Sequence, residues 1–231
     1  MAELAVALDV ASAEAALRLA DALRGEVRWF KVGSVLFVAE GPAIVRELVG
    51  RGARVFLDLK WHDIPHAVAG AVHSAADLGV SLATVHLAGG PEMLRAASAA
   101  AGPGGHGLRL VGVGVLTSLD EAAYSEVVGR PVRDLGEELT RLAVAGRAAG
   151  LDGAVCSPHE AARLRTALGP DALLVVPGIR PAGDPAGDQA RTATPRAAVA
   201  AGADLLVVGR PVTASSDPLG AARAIAAEMA G

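Results

Sequence analysis

Three charges, Asp58, Lys60 and Asp63, fall within six residues in the run Asp58-Leu59-Lys60-Trp61-His62-Asp63-Ile64-Pro65, directly after the strand-like segment 53–57. On a strand over 55–60, Asp58 and Lys60 project from the same face, with their Cα atoms roughly 6–7 Å apart. Such a pair puts fixed charge of both signs at one spot. Asp63 follows within a turn of chain, just before Ile64-Pro65. Two readings of the pair stand side by side: a charged reaction centre, or a solvated strand end with an incidental ion pair.

Side chains of this kind need a scaffold, and the rest of the chain carries its pattern. Short apolar runs alternate eight times with longer Ala- and Leu-rich segments of helical period. The pattern predicts strands over 4–8, 29–32, 54–59, 83–87, 110–116, 153–156, 173–176 and 204–208. Helical segments follow them, among them 12–23 with Ser12 as N-cap, 42–49, 67–78, 135–149, and 158–168 with Pro158 in its first turn. Gly25, Gly52, Gly79, Gly150 and Gly202 lie near helix ends, where a left-handed residue is commonly needed. Eight β–α units without a Pro/Ser-rich linker predict an α/β chain folded as a single (β/α)8 TIM barrel over residues 1–231. A doubly wound open sheet is the alternative; it usually has a glycine-rich turn after its first strand, and Asp9-Val10-Ala11 is not one.

Composition agrees with a barrel. The 231 residues are 52% hydrophobic but only 3% aromatic, so the core must be built from Val, Leu, Ile and Ala. Net charge is −4, with Lys and Arg scattered, which leaves no electrostatic footprint for nucleic acid or an anionic membrane. No apolar run reaches the roughly 18 residues of a membrane span. The start Met1-Ala2-Glu3 lacks the basic residues of a signal peptide. The single cysteine, Cys156, excludes an intrachain disulfide and suits the reducing cytosol, so a cytoplasmic location is expected. Within 153–157 it reads as part of a buried strand rather than as a catalytic thiol.

The six histidines form no metal set. His62, His66 and His73 fall on loop or helix, His86 ends the fourth strand, His106 lies in the glycine-rich turn 102–107, and His159 starts a helix.

In a barrel of this type, chemistry sits at the C-terminal ends of the strands. Asp9 ends the first, Lys31 the second, Asp58 and Lys60 the third, Thr117 the fifth and Gly209-Arg210 the eighth. Each has a structural use when taken alone: Asp9 can cap the next helix and Lys31 can snorkel to solvent. Their clustering at one face argues for a site. After the seventh strand, the segment 177–189 is too rich in Gly and Pro for a helix and carries Arg180 and Gln189. With Gly209-Arg210 it stands where barrels bind a phosphate, because glycine lets backbone amides approach an oxyanion and arginine offers a planar fork of donors.

These motifs together resemble the orotidine 5′-phosphate decarboxylase family over essentially the whole chain. The carrying residues are Ala7-Leu8-Asp9, Phe30-Lys31-Val32-Gly33, Asp58 to Pro65, Val115-Leu116-Thr117-Ser118, Pro177-Gly178-Ile179-Arg180, Gly187-Asp188-Gln189 and Val208-Gly209-Arg210-Pro211. Asp-x-Lys-x-x-Asp alone is shared by a wider superfamily of phosphosugar enzymes; joined to the later motifs in this order, it is specific. The resemblance implies conversion of orotidine 5′-monophosphate to UMP and CO2 without a cofactor. It implies Lys60 as the proton donor to C6, flanked by Asp58 and Lys31, with Asp63 entering from the neighbouring subunit of a homodimer. Asp9 and Lys31 would hold the ribose hydroxyls and Thr117 the pyrimidine edge. Arg180, Gln189, Gly209 and Arg210 would hold the phosphate, and Ile64 joins the substrate-binding set beside Asp63. One departure stands out. Relatives usually read Ile-Pro-Asn-Thr where this chain has Ile64-Pro65-His66-Ala67, so the threonine hydroxyl expected near the ribose is absent.

Two other functions fit parts of the pattern. A metal-dependent phosphosugar decarboxylase or aldolase-like synthase would share Asp-x-Lys-x-x-Asp, but Gly187-Asp188-Gln189 and Ile64-Pro65 speak against it. A non-catalytic nucleotide-binding protein would keep the phosphate loop without needing Lys31, Asp58, Lys60 and Asp63 intact.

Overall fold

Every apolar run predicted as a strand is one. In a computed structural model, which describes residues 2–102, 107–181 and 192–231, the strands are β1 (Glu3–Ala7), β2 (Trp29–Gly33), β3 (Arg54–Trp61), β4 (Leu82–His86), β5 (Arg109–Val113), β6 (Gly153–Val155), β7 (Leu173–Val176) and β8 (Leu205–Val208). All pair in parallel and in chain order, and β8 returns to β1 to close the barrel. Closure leaves no sheet edge to protect.

The bounds differ from expectation at two informative places. The fifth strand stops at Val113, three residues before the predicted end, because Val115 and Leu116 leave the ladder to line a cavity at the barrel mouth. The third strand runs two residues further than predicted, to Trp61, with an irregular register before it ends. Similarly, the helix predicted over 158–168 begins at Ala161. A turn precedes it in which the Glu160 carboxylate accepts the Ser157 backbone N–H at 2.8 Å.

Helices fill the space outside the strands. Ser12 caps the helix Ala13–Ala22 by accepting the Ala15 N–H, and Asp120, Asp134, Thr194 and Asp217 cap later helices in the same way. The outward residues of the strands pack against these helices in one large core, to which Val6, Val32, Leu57 and Val85 belong. A second, smaller core fills the inside of the barrel with Ala5, Ala7, Trp29, Phe56, Leu82, Val111, Val175 and Val207 among its members. Two cores follow from the period of two, since neighbours along a strand point to opposite faces. Burying a side chain such as Phe56 contributes about 1.5–3 kcal/mol.

Among the described glycines, the tightest fit is at Gly153, where β6 meets β7. A Cβ added to Gly153 would lie 1.9 Å from the Leu173 carbonyl oxygen, a backbone atom that cannot rotate away. We expect Gly153→Ala to lower the unfolding free energy by at least about 3 kcal/mol, at the upper end of overpacking effects, as read from urea denaturation. A loss below about 1 kcal/mol would show that β6 and β7 can part without cost.

Candidate active site

The inward-facing positions change character along each strand. Trp29, Phe56 and Leu82 lie in the inner core, and two residues further on the same face come Lys31, Asp58 and Thr84. Likewise Asp9 follows Ala7, and Gly209 follows Val207. Apolar side chains thus form a floor, and above it the barrel opens into a cavity of about 510 Å³. Asp9, Lys31, Asp58, Lys60, Thr117, Arg180, Gly209 and Arg210 all line it.

The charges alternate in sign. Lys31 Nζ donates to Asp9 Oδ1 at 2.9 Å and stands 3.9 Å from Asp58 Oδ2; Lys60 Nζ donates to Asp58 Oδ1 at 2.9 Å. The side chains of Lys31 and Asp58 are only 12% and 15% exposed, so their attraction is weakly screened by solvent. Gly33 makes room for the array: a Cβ there would stand 3.0 Å from Lys31 Nζ and 3.3 Å from Asp9 Oδ1.

Asp58 and Lys60 do come together, but not through a regular strand. Between the pairs Leu57↔Ala83 and Trp61↔Val85, the three residues 58–60 of β3 stand opposite the single residue Thr84 of β4. This bulge places Lys60 at φ +52°, the one non-glycine residue with positive φ among the described residues. A left-handed residue with a Cβ costs about 1–2 kcal/mol. The Lys60 N–H donates to Thr84 Oγ1 at 2.8 Å, and the Thr84 hydroxyl donates to Asp58 Oδ1 at 3.0 Å. Sequence reasoning missed Thr84; its signal was a hydroxyl at an inward position of a strand that is otherwise apolar up to His86.

At the opposite side, the loop after β7 is pinned at its base. Ile179 bridges to Ala193, the Arg180 N–H donates to the Ala193 carbonyl at 3.0 Å, and Gly178 takes φ +77° to make the turn. Arg180 and Arg210 therefore reach the cavity from neighbouring strand ends, with Thr213 beside them. Gln189 and the rest of Gly187-Asp188-Gln189 lie outside the described residues, as does His106.

Asp63 and Ile64 do not line this cavity. Asp63 is exposed, its Oδ1 accepting the Ile64 N–H at 2.6 Å, and Ile64 is 67% exposed. The two residues lie past the end of β3, where the chain turns away to start the helix Pro65–Asp77. His66 and Ala67 are exposed in the first turn of that helix. Among the described residues, no three His, Cys, Asp or Glu side chains gather as a metal-binding set, and no helix is long and apolar enough to cross a membrane.

Next to Lys60, His62 stacks on His86 with ring centroids 4.9 Å apart and planes 12° apart. His86 Nδ1 accepts the Ala88 N–H at 3.2 Å, so that nitrogen carries no proton. Burial, followed by the charges of His62 and Lys60, holds His86 below the ordinary histidine range.

Residues 2–225 match the model of the family described as Orotidine 5′-phosphate decarboxylase / HUMPS family. An orotidine 5′-phosphate decarboxylase of Anaeromyxobacter dehalogenans is 55% identical over 224 residues, covering 96% of each chain. Another from Thermobifida fusca is 53% identical over 232 residues, covering 99% of this chain and 96% of that one. The crystal structure of an orotidine 5′-phosphate decarboxylase from Lactobacillus acidophilus superposes with a TM-score of 0.88 at 34% identity, over 100% of both chains.

The depressed His86 pKa has a thermodynamic consequence. The unfolded chain takes up a proton at this residue near pH 6.5, whereas the folded chain resists it to lower pH, so acid favours unfolding through that window. Between pH 7.5 and 5, the urea midpoint of His86→Gln is expected to fall less than that of the wild type. Identical slopes would mean that His86 titrates alike in both states.

Proposed function

The chain belongs to the orotidine 5′-phosphate decarboxylase / HUMPS family, and from its site we propose how it takes CO2 from orotidine 5′-monophosphate to leave UMP. This activity is a step of pyrimidine biosynthesis. The observation that carries the mechanism is the alternating series Asp9, Lys31, Asp58, Lys60 at one side of a cavity whose other side holds Arg180 and Arg210.

Loss of CO2 leaves an electron pair at C6 that the pyrimidine ring delocalises poorly, so fixed charge must stabilise it. Lys60 supplies an ammonium at that carbon and then gives up a proton to it. The C–C bond breaks towards C6, CO2 leaves, and the new C–H bond forms with a proton from Nζ. Asp58, already within hydrogen-bond distance of Lys60, holds the ammonium in place. It also faces the departing carboxylate. At ~4 Å and an effective dielectric of ~20, that repulsion is roughly 4 kcal/mol, or about three decades of rate. Enzymes supply about 8–23 kcal/mol in total, so repulsion is a minor share. Transition-state stabilisation by Lys60 and remote binding of the phosphate carry the rest.

Asp9 and Lys31 hold the ribose hydroxyls, Thr117 the pyrimidine edge, and Arg180, Gln189, Gly209 and Arg210 the phosphate. Supporting the last group is the charge-assisted, forked hydrogen bonding that arginine gives a phosphate dianion. The mechanism uses neither metal nor organic cofactor, and turnover of orotidine 5′-monophosphate unaffected by chelator tests that. The enzyme works in the cytoplasm as a homodimer, binds neither nucleic acid nor membrane, and completes each site with Asp63 of the neighbouring copy, with Ile64 among the substrate-binding residues. An exposed carboxylate three residues past Lys60, next to an isoleucine that is 67% exposed, supports this sharing.

Two experiments test these roles. Lys60→Ala is expected to lower kcat by at least about 10²–10⁴-fold, the usual range of a proton-transfer residue, while UMP binds within about threefold of wild type. Turnover within tenfold of wild type would remove Lys60 from the mechanism. For the shared site, equal amounts of inactive Lys60→Ala and inactive Asp63→Ala chains are mixed and allowed to exchange. About half the dimers are then mixed, each with one doubly damaged and one intact site, so activity should return to about a quarter of wild type. A mixture that stays inactive after mass spectrometry confirms exchange places Asp63 in its own chain's site.

A further inference from the structure

Thr84 is fully buried, and it does not line the cavity, so it cannot touch a bound substrate. Its hydroxyl nevertheless holds two of the charged site's parts at once. It accepts the Lys60 N–H at 2.8 Å and donates to Asp58 Oδ1 at 3.0 Å, the same oxygen that accepts Lys60 Nζ at 2.9 Å. A hydroxyl has one proton to give and lone pairs to receive, so a single group can serve both contacts. The three bonds close a ring: backbone nitrogen to threonine oxygen, threonine oxygen to carboxylate, ammonium back to the same carboxylate.

This ring answers a problem that the bulge creates. Three residues of β3 stand opposite Thr84 alone, so the ladder has no regular partner for the backbone of Lys60. Lys60 also holds a left-handed backbone, which a residue with a Cβ adopts only when its surroundings fix it. A carboxylate free to rotate about its χ angles would lose its register with Lys60 Nζ.

We infer that Thr84 is a positioning residue, whose hydroxyl fixes the left-handed backbone of Lys60 and the carboxylate of Asp58 together and so sets where the ammonium stands. The inference rests on the proposed role of Lys60 and adds the part that holds it. Because displacement by about 1 Å can cost a reaction roughly a hundredfold, removing the hydroxyl should be felt in turnover rather than in binding.

The test compares Thr84→Val, which keeps the shape and loses the hydroxyl, with Thr84→Ser, which keeps the hydroxyl. Thr84→Val is expected to lower kcat about a hundredfold while UMP affinity stays within threefold, and Thr84→Ser to stay within tenfold of wild-type kcat. The inference is overturned if Thr84→Val keeps kcat within threefold, if it weakens UMP binding in proportion to kcat, or if Thr84→Ser loses as much as Thr84→Val. Should Thr84→Val not fold, Thr84→Ala is judged by the same figures, since its smaller side chain introduces no clash. Lys60→Ala, measured alongside, separates the two levels. If that variant turns over within tenfold of wild type, the role of Lys60 fails; if it is inactive while Thr84→Val is not impaired, only the positioning role fails.

Discussion

The carboxylate of Asp58 sits at the barrel mouth with little solvent around it, and a charge in such a place is tolerated only if its neighbours replace water. Lys60 and the Thr84 hydroxyl meet one oxygen, and Lys31 stands 3.9 Å from the other. Lys31 in turn is held by Asp9. Each ion thus has a neighbour of opposite sign, and the four charges sum to zero. Order matters as much as the sum. Lys60 ends the series, so its ammonium is the cation presented to whatever occupies that side of the cavity.

The barrel makes this arrangement cheap to hold. Strands in register turn every second residue inward, and one step along the axis exchanges Trp29, Phe56 and Leu82 for Lys31, Asp58 and Thr84. The apolar layer below excludes water from beneath the charges, which lowers the local dielectric and strengthens every attraction above it. The same rigidity limits reorganisation when charge develops, and that is the requirement for electrostatic catalysis.

Much of this was legible in the sequence, because it depends on periodicity. Eight apolar runs separated by helical segments specify a closed parallel barrel, and polar residues just past those runs mark its mouth. Asp9, Lys31, Thr117, Arg180 and Arg210 could be placed that way. The bulge could not. Lys60 is neither glycine nor asparagine, so nothing local announces a left-handed backbone, and a regular strand would also have put Asp58 and Lys60 on one face. The role of Thr84 was hidden for a related reason: the inward hydroxyl can be read from the strand, but its importance comes from standing opposite three residues of another strand, a fact of tertiary register. The early end of β5 at Val113 comes from Val115 and Leu116 leaving the ladder to line the mouth, and the late end of β3 at Trp61 from pairing that resumes with Val85 past the bulge. Asp63 and Ile64 show a different limit: the motif sets them beside Lys60 in sequence, yet both lie past the end of β3, exposed and away from this chain's cavity.

Position around the ring accounts for how distant binding can serve the reaction. In a closed sheet of eight strands, β7 lies opposite β3, so Arg180 faces Lys60 across the cavity, with Arg210 at the adjacent β8. A substrate that spans the cavity is gripped at one end and reacts at the other. Binding energy from the gripped end lowers the barrier only if it is realised as position at the reacting end, and that needs a stiff connection between the two. The hydrogen-bonded circle of strands is that connection. It carries the loop base at Gly178 to Arg180 and the bulge at Asp58 to Lys60 on one frame, so under the proposed mechanism a phosphate seated against the arginines would fix C6 relative to the Lys60 ammonium.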